Sequence, residues 1–211
     1  ELSAFYLDII KDRLYTYPAN SRERRSGQTA LHILLMGMVR LIAPILSFTA
    51  EEVWSYLPES SVDEESVHLS NFSPPENVSF DEKLITKWET LVDLKGEVSK
   101  ALEISRREKV IGHSLDANVK LELPDKYKEI IKGHENELKF IFIVSKVEMV
   151  DSLGSDKKVF TSDSLEGVKV VSEMHPGKKC ERCWNYFDPD IKEGITSDEI
   201  CSRCEDHLQT A

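Results

Sequence analysis

The chain has little glycine, proline and cysteine, no excess of positive charge and no long apolar run. Its 211 residues include 9 glycines, 8 prolines and 4 cysteines, which excludes a collagen-like or low-complexity composition. The longest nearly apolar stretch, residues 31–44, contains His32 and Arg40 and is too short to cross a bilayer. No basic segment followed by an apolar one opens the sequence. We therefore expect a cytoplasmic protein without a membrane or export signal.

Acidic residues outnumber basic residues by 38 to 27, which gives a formal net charge of -11. A protein that coats nucleic acid needs an excess of Lys and Arg to neutralise phosphates, so this class is disfavoured. Residues 58–90 contain two basic and eight acidic groups, net -6, whereas residues 1–57 contain six of each. Residues 58–75 show no helical period and predict a solvated surface connection. The charge thus excludes a diffuse, charge-driven binder and leaves room for a site-specific one.

Apolar residues recur every three or four positions in the first half of the chain, which predicts helices. The pattern is already present at Leu2, so we expect the chain to be part of a longer one. Pro18 ends the first helix, and Ser21 is suited to cap a second helix that reaches Pro44. A short third helix and a long fourth helix are predicted from their end signals: Thr49 with Glu52 as a capping box, Asp81 as an N-cap and Gly112 as a C-cap.

The apolar period changes from about 3.6 to 2 after the long helix. Residues 118–123 alternate apolar and polar side chains and predict a half-buried strand. A helical stretch over residues 126–142 follows, and then two strand-like segments at 146–150 and 167–171. This order of elements after a set of helices predicts a mainly α fold with an α+β appendage.

All four cysteines lie near the C-terminus in two Cys-x-x-Cys pairs separated by 17 residues, namely Cys180, Cys183, Cys201 and Cys204. Two thiolates three residues apart on a tight turn reach one ion without strain, and two such pairs complete the tetrahedron that zinc prefers. Four cysteines leave no position for water, so we predict one structural Zn²⁺. The alternatives are a redox pair, disfavoured because there are two motifs, and two disulfides, disfavoured by a cytoplasmic setting.

Cations and aromatic side chains surround the cysteines. Zinc with four thiolates has a formal charge of -2, and the nearby cations either screen it or form a basic rim for phosphate or a base edge: Lys178, Lys179, Arg182 and Arg203. Such a short unit buries few aromatic side chains, so an exposed one would offer a stacking surface to an unpaired base. Arg182 beside Trp184 is the pair best suited to this contact. His175 and His207 flank the cysteines and are not expected to bind the metal ion.

Five segments of the chain resemble a known protein family. They are residues 1–13 (ELSAFYLDIIKDR), 24–29 (RRSGQT), 43–54 (APILSFTAEEVW), 108–115 (EKVIGHSL) and 179–186 (KCERCWNY). Together they resemble the C-terminal region of bacterial isoleucyl-tRNA synthetases nearly from end to end. The first segments alone would also fit the valyl and leucyl relatives, whereas the Cys-Glu-Arg-Cys-Trp knuckle favours the isoleucyl enzymes.

This resemblance implies a division of the chain into three parts. Residues 1–112 would form the helical-bundle anticodon-binding domain of class I aminoacyl-tRNA synthetases, with the acidic connection at 58–80. Residues 113–174 would form a small α+β junction domain, and residues 175–211 a zinc-ribbon-like module.

The resemblance also implies a class I ligase that joins isoleucine to its tRNA with ATP and edits misactivated valine. That chemistry would reside in catalytic and editing domains of the longer chain, because the signatures His-Ile-Gly-His and Lys-Met-Ser-Lys-Ser are both absent from this sequence. Val110-Ile-Gly-His113 lacks the leading histidine, and we interpret Gly112 as a helix end and His113 as a turn residue. We expect this part to bind isoleucine tRNA as a monomer without charging it.

In this family the helical domain and the zinc module hold the anticodon stem and loop, and the residues matching Arg182 and Trp184 lie at the anticodon contact. We extend the predicted tRNA contact to Arg22, Arg24 and Arg25 at the start of the second helix, where simple solvent exposure is an equal alternative. The alternative from another class is a stand-alone zinc-ribbon protein that binds another protein through its acidic surface.

Overall fold

The structure is a computed structural model that describes four ranges of the chain: residues 2–72, 81–154, 158–188 and 199–209. Parts of the predicted connection and of the predicted zinc module, residues 73–80, 189–198 and 210–211, lie outside the described residues. The chain divides into two compact units, one formed by residues 1–18 with 81–211 and the other by residues 19–80. Both units are mainly helical and the first contains a small sheet, so the predicted fold class is confirmed.

The first unit begins with a broken helix. A π-helical turn at Leu2–Tyr6 leads into α1 (Leu7–Ile9) and α2 (Lys11–Thr16). Tyr17 has an extended backbone, with φ of -80° and ψ of 152°, because the residue before a proline is driven out of the helical region. The predicted stop at Pro18 is therefore confirmed, and it leaves the carbonyl groups at the end of α2 free of helical partners.

Two helices form the frame of the second unit, α3 (Arg22–Ile42) and α4 (Ser47–Ser55). The hydroxyl of Ser21 accepts the Arg24 N–H at 3.3 Å, so the predicted cap of α3 is confirmed. The predicted capping box of Thr49 is wrong, because α4 begins at Ser47, two residues before Thr49. Its hydrogen bonds already start at the Leu46 carbonyl, which accepts the Ala50 N–H at 2.8 Å.

The acidic segment after α4 belongs to the second unit and packs against its core. It contains two 3-10 turns, Glu59–Ser61 and Val67–Leu69, and Val67 is buried in the core with Val39 and Trp54. The Trp54 indole N–H donates to the Glu64 carbonyl at 3.0 Å. The acidic side chains of this segment, Glu59, Asp63, Glu64 and Glu65, are exposed as predicted, whereas Val67 is buried and anchors the segment to the core.

The long helix α5 (Glu82–Arg107) begins where the sequence predicted and ends earlier. The Asp81 carboxylate accepts the N–H groups of Lys83 at 3.0 Å and Leu84 at 3.4 Å, which confirms the N-cap. The predicted C-cap at Gly112 is wrong. Lys109 adopts the left-handed conformation with φ of 59°, and the next N–H, of Val110, donates to the Ser105 carbonyl at 2.9 Å. This is the hydrogen-bond pattern of a Schellman C-cap.

Gly112 and His113 instead belong to a tight turn. The Asp116 carboxylate accepts both of their N–H groups, at 3.0 and 2.7 Å, and the His113 ring nitrogen Nδ1 accepts the Leu115 N–H at 3.2 Å. His113 therefore caps the 3-10 turn Ser114–Asp116, which confirms its interpretation as a turn residue.

A four-stranded sheet covers one side of α5. Its strands are β1 (Ala117–Glu122), β2 (Lys146–Met149), β3 (Phe160–Thr161) and β4 (Lys169–Met174), in the order β2-β1-β4-β3. Only β1 and β2 are parallel, and α6 (Asp125–Ile131) and α7 (Leu138–Phe142) lie in the connection between them. Strand β3 escaped the sequence analysis because two residues show no period. Its partner β4 begins at Lys169, close to the predicted segment.

The core of the first unit lies between α5 and the sheet, where Leu91, Leu94, Val98 and Leu102 pack against strand residues. The earlier positions of the same helical stripe, Leu84 and Trp88, are largely exposed. The C-terminal part adds the hairpin β5 (Lys178–Lys179) with β6 (Tyr186–Phe187), and the helix α8 (Ser202–Gln209). Within the described ranges, no helix has the length and apolar character that a membrane span requires.

Leu94 provides a test of this core. Leu94→Ala should lower the free energy of unfolding by about 2–5 kcal/mol, because the side chain is fully buried and its removal leaves a cavity. Leu84→Ala on the same helix, where the side chain is 50% exposed, should change it by less than about 0.5 kcal/mol. Guanidinium unfolding in the presence of zinc measures both. Equal losses for the two variants would contradict the placement of the core.

Candidate metal centre and adjoining surface

The four cysteines converge on one point between the β5–β6 hairpin and the start of α8. Their Sγ atoms all lie within 4.8 Å of one another, and none forms a disulfide. The Cys183 and Cys201 sulfurs are 3.8 Å apart, which matches the edge of about 3.8 Å in a tetrahedron with Zn–S bonds of about 2.3 Å. Neither His175 nor His207 belongs to this cluster. The donor set therefore fits one structural Zn²⁺.

The local backbone prepares these sulfurs for a metal ion. The Cys201 N–H donates to the Cys180 sulfur at 3.4 Å, and the Trp184 N–H closes the first knuckle on the Cys180 carbonyl at 2.9 Å. Hydrogen bonds from Cys201 and Cys204, with one from the Asn185 backbone, lower the pKa of the Cys183 thiol. The same shared hydrogen bonds raise the pKa of the Cys201 and Cys204 thiols. Zinc binds the thiolate form of all four cysteines, and the Asn185 N–H is the donor to Cys183 that persists in that state.

Arg203 screens the thiolates. Its guanidinium forms a two-pronged ion pair with Asp12 in α2, at 2.6 and 2.8 Å, and its positive charge stabilises the nearby Cys183 thiolate. Lys139 in α7 lies near the same groups, and burial, together with the nearby Arg203 charge, lowers the pKa of this lysine. Of the two interpretations that the sequence left open, screening is therefore the one that applies to Arg203.

The other cations of the cluster point elsewhere. Lys178 and Lys179 in β5 are exposed, and the Lys179 ammonium lies 5.7 Å from the centre of the Trp184 ring. Arg182 is half-buried and donates to the Thr16 carbonyl at 2.7 Å. Among the described residues, Lys179 is therefore the exposed cation that lies against the indole.

Trp184 is the exposed aromatic residue of the knuckle. It is 61% exposed, whereas Phe187 packs against the cysteines. Its backbone has φ of 64°, the left-handed region that bulky side chains rarely adopt. The knuckle turn imposes this conformation, because the residue must turn back to bond the Cys180 carbonyl. A cavity of about 500 Å³ adjoins the indole, with Tyr15, Phe140 and Lys139 in its lining.

The three arginines predicted to contact tRNA in the first turn of α3 belong to the other compact unit. Arg22 and Arg25 are exposed, and Arg25 donates to the Gln28 side chain at 3.2 Å. Arg24 is half-buried. Arg182 and Trp184 lie together in the first unit, beside the metal centre.

Sequence reasoning missed the residues of α2 that hold the zinc module. Asp12 and Thr16 contact Arg203, Arg182 and His207, which lie more than 160 residues away along the chain. An aspartate and a threonine on a short helix give no local signal of such a role, and only the folded chain brings them to the site.

Comparison with known proteins identifies both parts of this arrangement. A family model described as the anticodon-binding domain of tRNA ligase matches residues 1–121. The chain belongs to that family. A second model, described as a zinc finger found in FPG and IleRS, matches residues 177–206, a range that contains all four cysteines of the anticodon-binding chain. This match and the sulfur geometry together support the predicted structural zinc ion.

Curated relatives of the anticodon-binding chain are named isoleucine–tRNA ligase. The one from Thermoanaerobacter sp. (strain X514) is 45% identical over 213 residues, covering 99% of this chain and 22% of the relative. Those from Syntrophotalea carbinolica and Geobacter sulfurreducens are 44% and 42% identical, and each alignment covers 97% of this chain and 22% of the relative. The chain thus spans about a fifth of the length of the curated relatives it matches.

Metal analysis of the purified chain should give one zinc per chain, and Cys204→Ser should lower the zinc content because it removes a buried ligand.

A chelator should abolish hydrogen-exchange protection in residues 178–188 and 199–209, because the described residues of this part form little apolar core without the metal. Protection around Trp54 in the second unit should persist. Loss of protection in both units at the same chelator concentration would contradict their independence.

Proposed function

We propose that this chain binds the anticodon region of isoleucine tRNA as one part of an isoleucine–tRNA ligase. ATP and isoleucine would be handled by the catalytic domain of the longer protein, and proofreading of valine by its editing domain. The family match and the names of the relatives support the class of activity. The observation that carries the RNA contact is the exposed indole of Trp184 beside the metal centre.

The backbone of Trp184 supports a role in contact rather than in packing. A left-handed conformation costs an ordinary residue about 1–2 kcal/mol, and an exposed ring recovers little of that by burial. The strain is tolerated because the metal knuckle fixes the turn. A rigid, exposed indole is a stacking surface for an unpaired base, and anticodon bases are unpaired in free tRNA.

The surroundings of Trp184 also suit a nucleotide. The adjoining cavity of about 500 Å³ lies within the range of about 300–1,000 Å³ that is usual for small-ligand sites. Lys178, Lys179 and Arg182 supply positive charge nearby, although Arg182 already donates to the Thr16 carbonyl. Because these cations are few, recognition would depend on stacking and base contacts more than on phosphate attraction.

We propose a second, phosphate-binding contact at the start of α3, through Arg22, Arg24 and Arg25. Two of these side chains are exposed, and arginine is well suited to phosphate oxygens.

The proposal also covers the organisation of the chain. We propose three domains, with boundaries at residues 112/113 and 174/175. We further propose that the protein is a monomer and that it acts in the cytoplasm, where tRNA is charged.

Substitution of Trp184 tests the stacking contact. Trp184→Ala should weaken binding of the 211-residue chain to isoleucine tRNA by about 1–3 kcal/mol, the usual value of one base–aromatic stack. Trp184→Phe keeps an aromatic face and should retain most of the affinity. Filter binding together with zinc analysis measures both variants. Equal affinities for the wild type and Trp184→Ala, with zinc retained, would remove Trp184 from the interface.

A comparison of two tRNAs at two salt concentrations tests base recognition. Isoleucine tRNA should bind more tightly than the same tRNA with an exchanged anticodon, and the difference should persist as salt rises, because base contacts depend little on counterions. Equal binding of both tRNAs that weakens together with salt would show phosphate attraction alone and would contradict the proposal.

A further inference from the structure

The metal centre is joined to the first helical segment by a set of polar contacts that link the two ends of the chain. Two guanidinium nitrogens of Arg203 in α8 donate to the Asp12 carboxylate, at 2.6 and 2.8 Å. The side chains of this pair are only 23% and 17% exposed. The Thr16 carbonyl, at the end of α2, accepts from Arg182 at 2.7 Å and lies 3.1 Å from the His207 ring nitrogen Nδ1.

Both halves of the metal centre take part in these contacts. Arg182 belongs to the first cysteine pair, whereas Arg203 and His207 belong to the second pair and the helix that follows it. Helix α2 ends at Thr16 before Pro18, so its last carbonyls need donors from elsewhere. The end of α2 therefore bridges the same two chain segments that the zinc ion bridges.

Arg203 lies between the two cysteines of the second pair, directly before Cys204, and is bonded to α2. Its guanidinium binds the Asp12 carboxylate with two nitrogens and lies 5.8 and 5.4 Å from the ring centres of Tyr17 and Phe140. Five N–H donors in one plane allow several acceptors at once in a fixed geometry. A lysine ammonium at this position could not hold the same set.

Trp184 follows Cys183 directly, and Arg182, on the other side of Cys183, donates to the Thr16 carbonyl of α2. Arg203 is bound to the same helix and precedes Cys204, whose sulfur lies within 4.8 Å of the Cys183 sulfur. We propose that Asp12 and Arg203 are positioning residues for Trp184, which hold the metal knuckle against α2 and thereby set where the exposed ring stands. This inference rests on the proposed RNA contact of Trp184. Neither residue needs to touch RNA, because both are largely covered by the protein.

The Asp12–Arg203 ion pair is expected to affect the position of the Trp184 ring more than the binding of zinc. Four sulfurs hold zinc without help from Asp12, which contacts none of them among the described interactions. Loss of the Asp12 carboxylate would leave the largely buried Arg203 charge without its bidentate partner, so the guanidinium would turn toward solvent and release the second cysteine pair from α2. Zinc binding should therefore survive a change that displaces Trp184.

The experiment compares Asp12→Asn, Arg203→Lys and the double variant in the full 211-residue chain labelled with 5-fluorotryptophan. Asp12→Glu serves as the conservative rescue. Glu173→Gln, which breaks the exposed pair of Lys120 and Glu173 at 2.6 Å in the same unit, is the matched control. Zinc content, the ¹⁹F resonance of Trp184, assigned with Trp184→Phe, and affinity for isoleucine tRNA are measured for each variant.

We expect each single variant to retain one zinc, to shift the Trp184 resonance alone among the three tryptophans, and to bind isoleucine tRNA about 5- to 30-fold more weakly. The double variant should resemble the single ones, because both changes break the same link. Asp12→Glu should restore part of the affinity, and Glu173→Gln should resemble the wild type in all three measurements.

Loss of zinc in Asp12→Asn would overturn the proposal, because the pair would then support the metal site and not the ring. An unshifted Trp184 resonance, or a shifted one with unchanged tRNA affinity, would overturn it as well. Failure of the wild-type chain to bind isoleucine tRNA would refute the proposed function instead. A selective shift of the Trp184 resonance in Asp12→Asn would then still support the positioning of the ring.

Discussion

Four thiolates gathered in a small volume impose a requirement on the rest of the C-terminal part, because with zinc they have a formal charge of -2. Among the described residues of that part, Phe187 and Ile200 are the two hydrophobic residues that pack against the cysteines. Metal coordination must therefore supply its cohesion, and cations must balance its charge. Arg203 and Lys139 meet the second need, and both stand close to Asp12.

This need for charge balance determines which cations remain for a partner. Arg203 is paired with Asp12, and Arg182 donates to the Thr16 carbonyl. Lys178 and Lys179 of β5 remain exposed, and Lys179 lies over the exposed Trp184 ring. A chain of net charge -11 can thus present a small positive, aromatic surface, which suits recognition of a few unpaired bases better than wrapping of a phosphate backbone.

Sequence patterns were sufficient for several local features of the structure. The cysteine spacing gave the metal centre, and Asp81 and Ser21 gave two helix starts, because a side-chain cap acts within three residues. The end of α5 was misplaced because Lys109 took the left-handed position that favours glycine, while Gly112 served a nearby turn. Helix ends of this kind are decided by packing of the following strand, which no local pattern reports.

The contacts that hold the metal centre to α2 depend on chain ends brought together by the whole first unit, and neither partner shows its role in the sequence. In the sequence, Asp12 could equally be a solvated residue on a short helix. Arg203 was one of four cations that could either screen the thiolates or contact RNA. The left-handed backbone of Trp184 was also invisible, although its position after the knuckle was not. The sequence therefore pointed to the exposed ring, whereas the folded chain shows what holds its backbone: the turn is closed on Cys180, and the arginines beside the cysteines are bonded to α2.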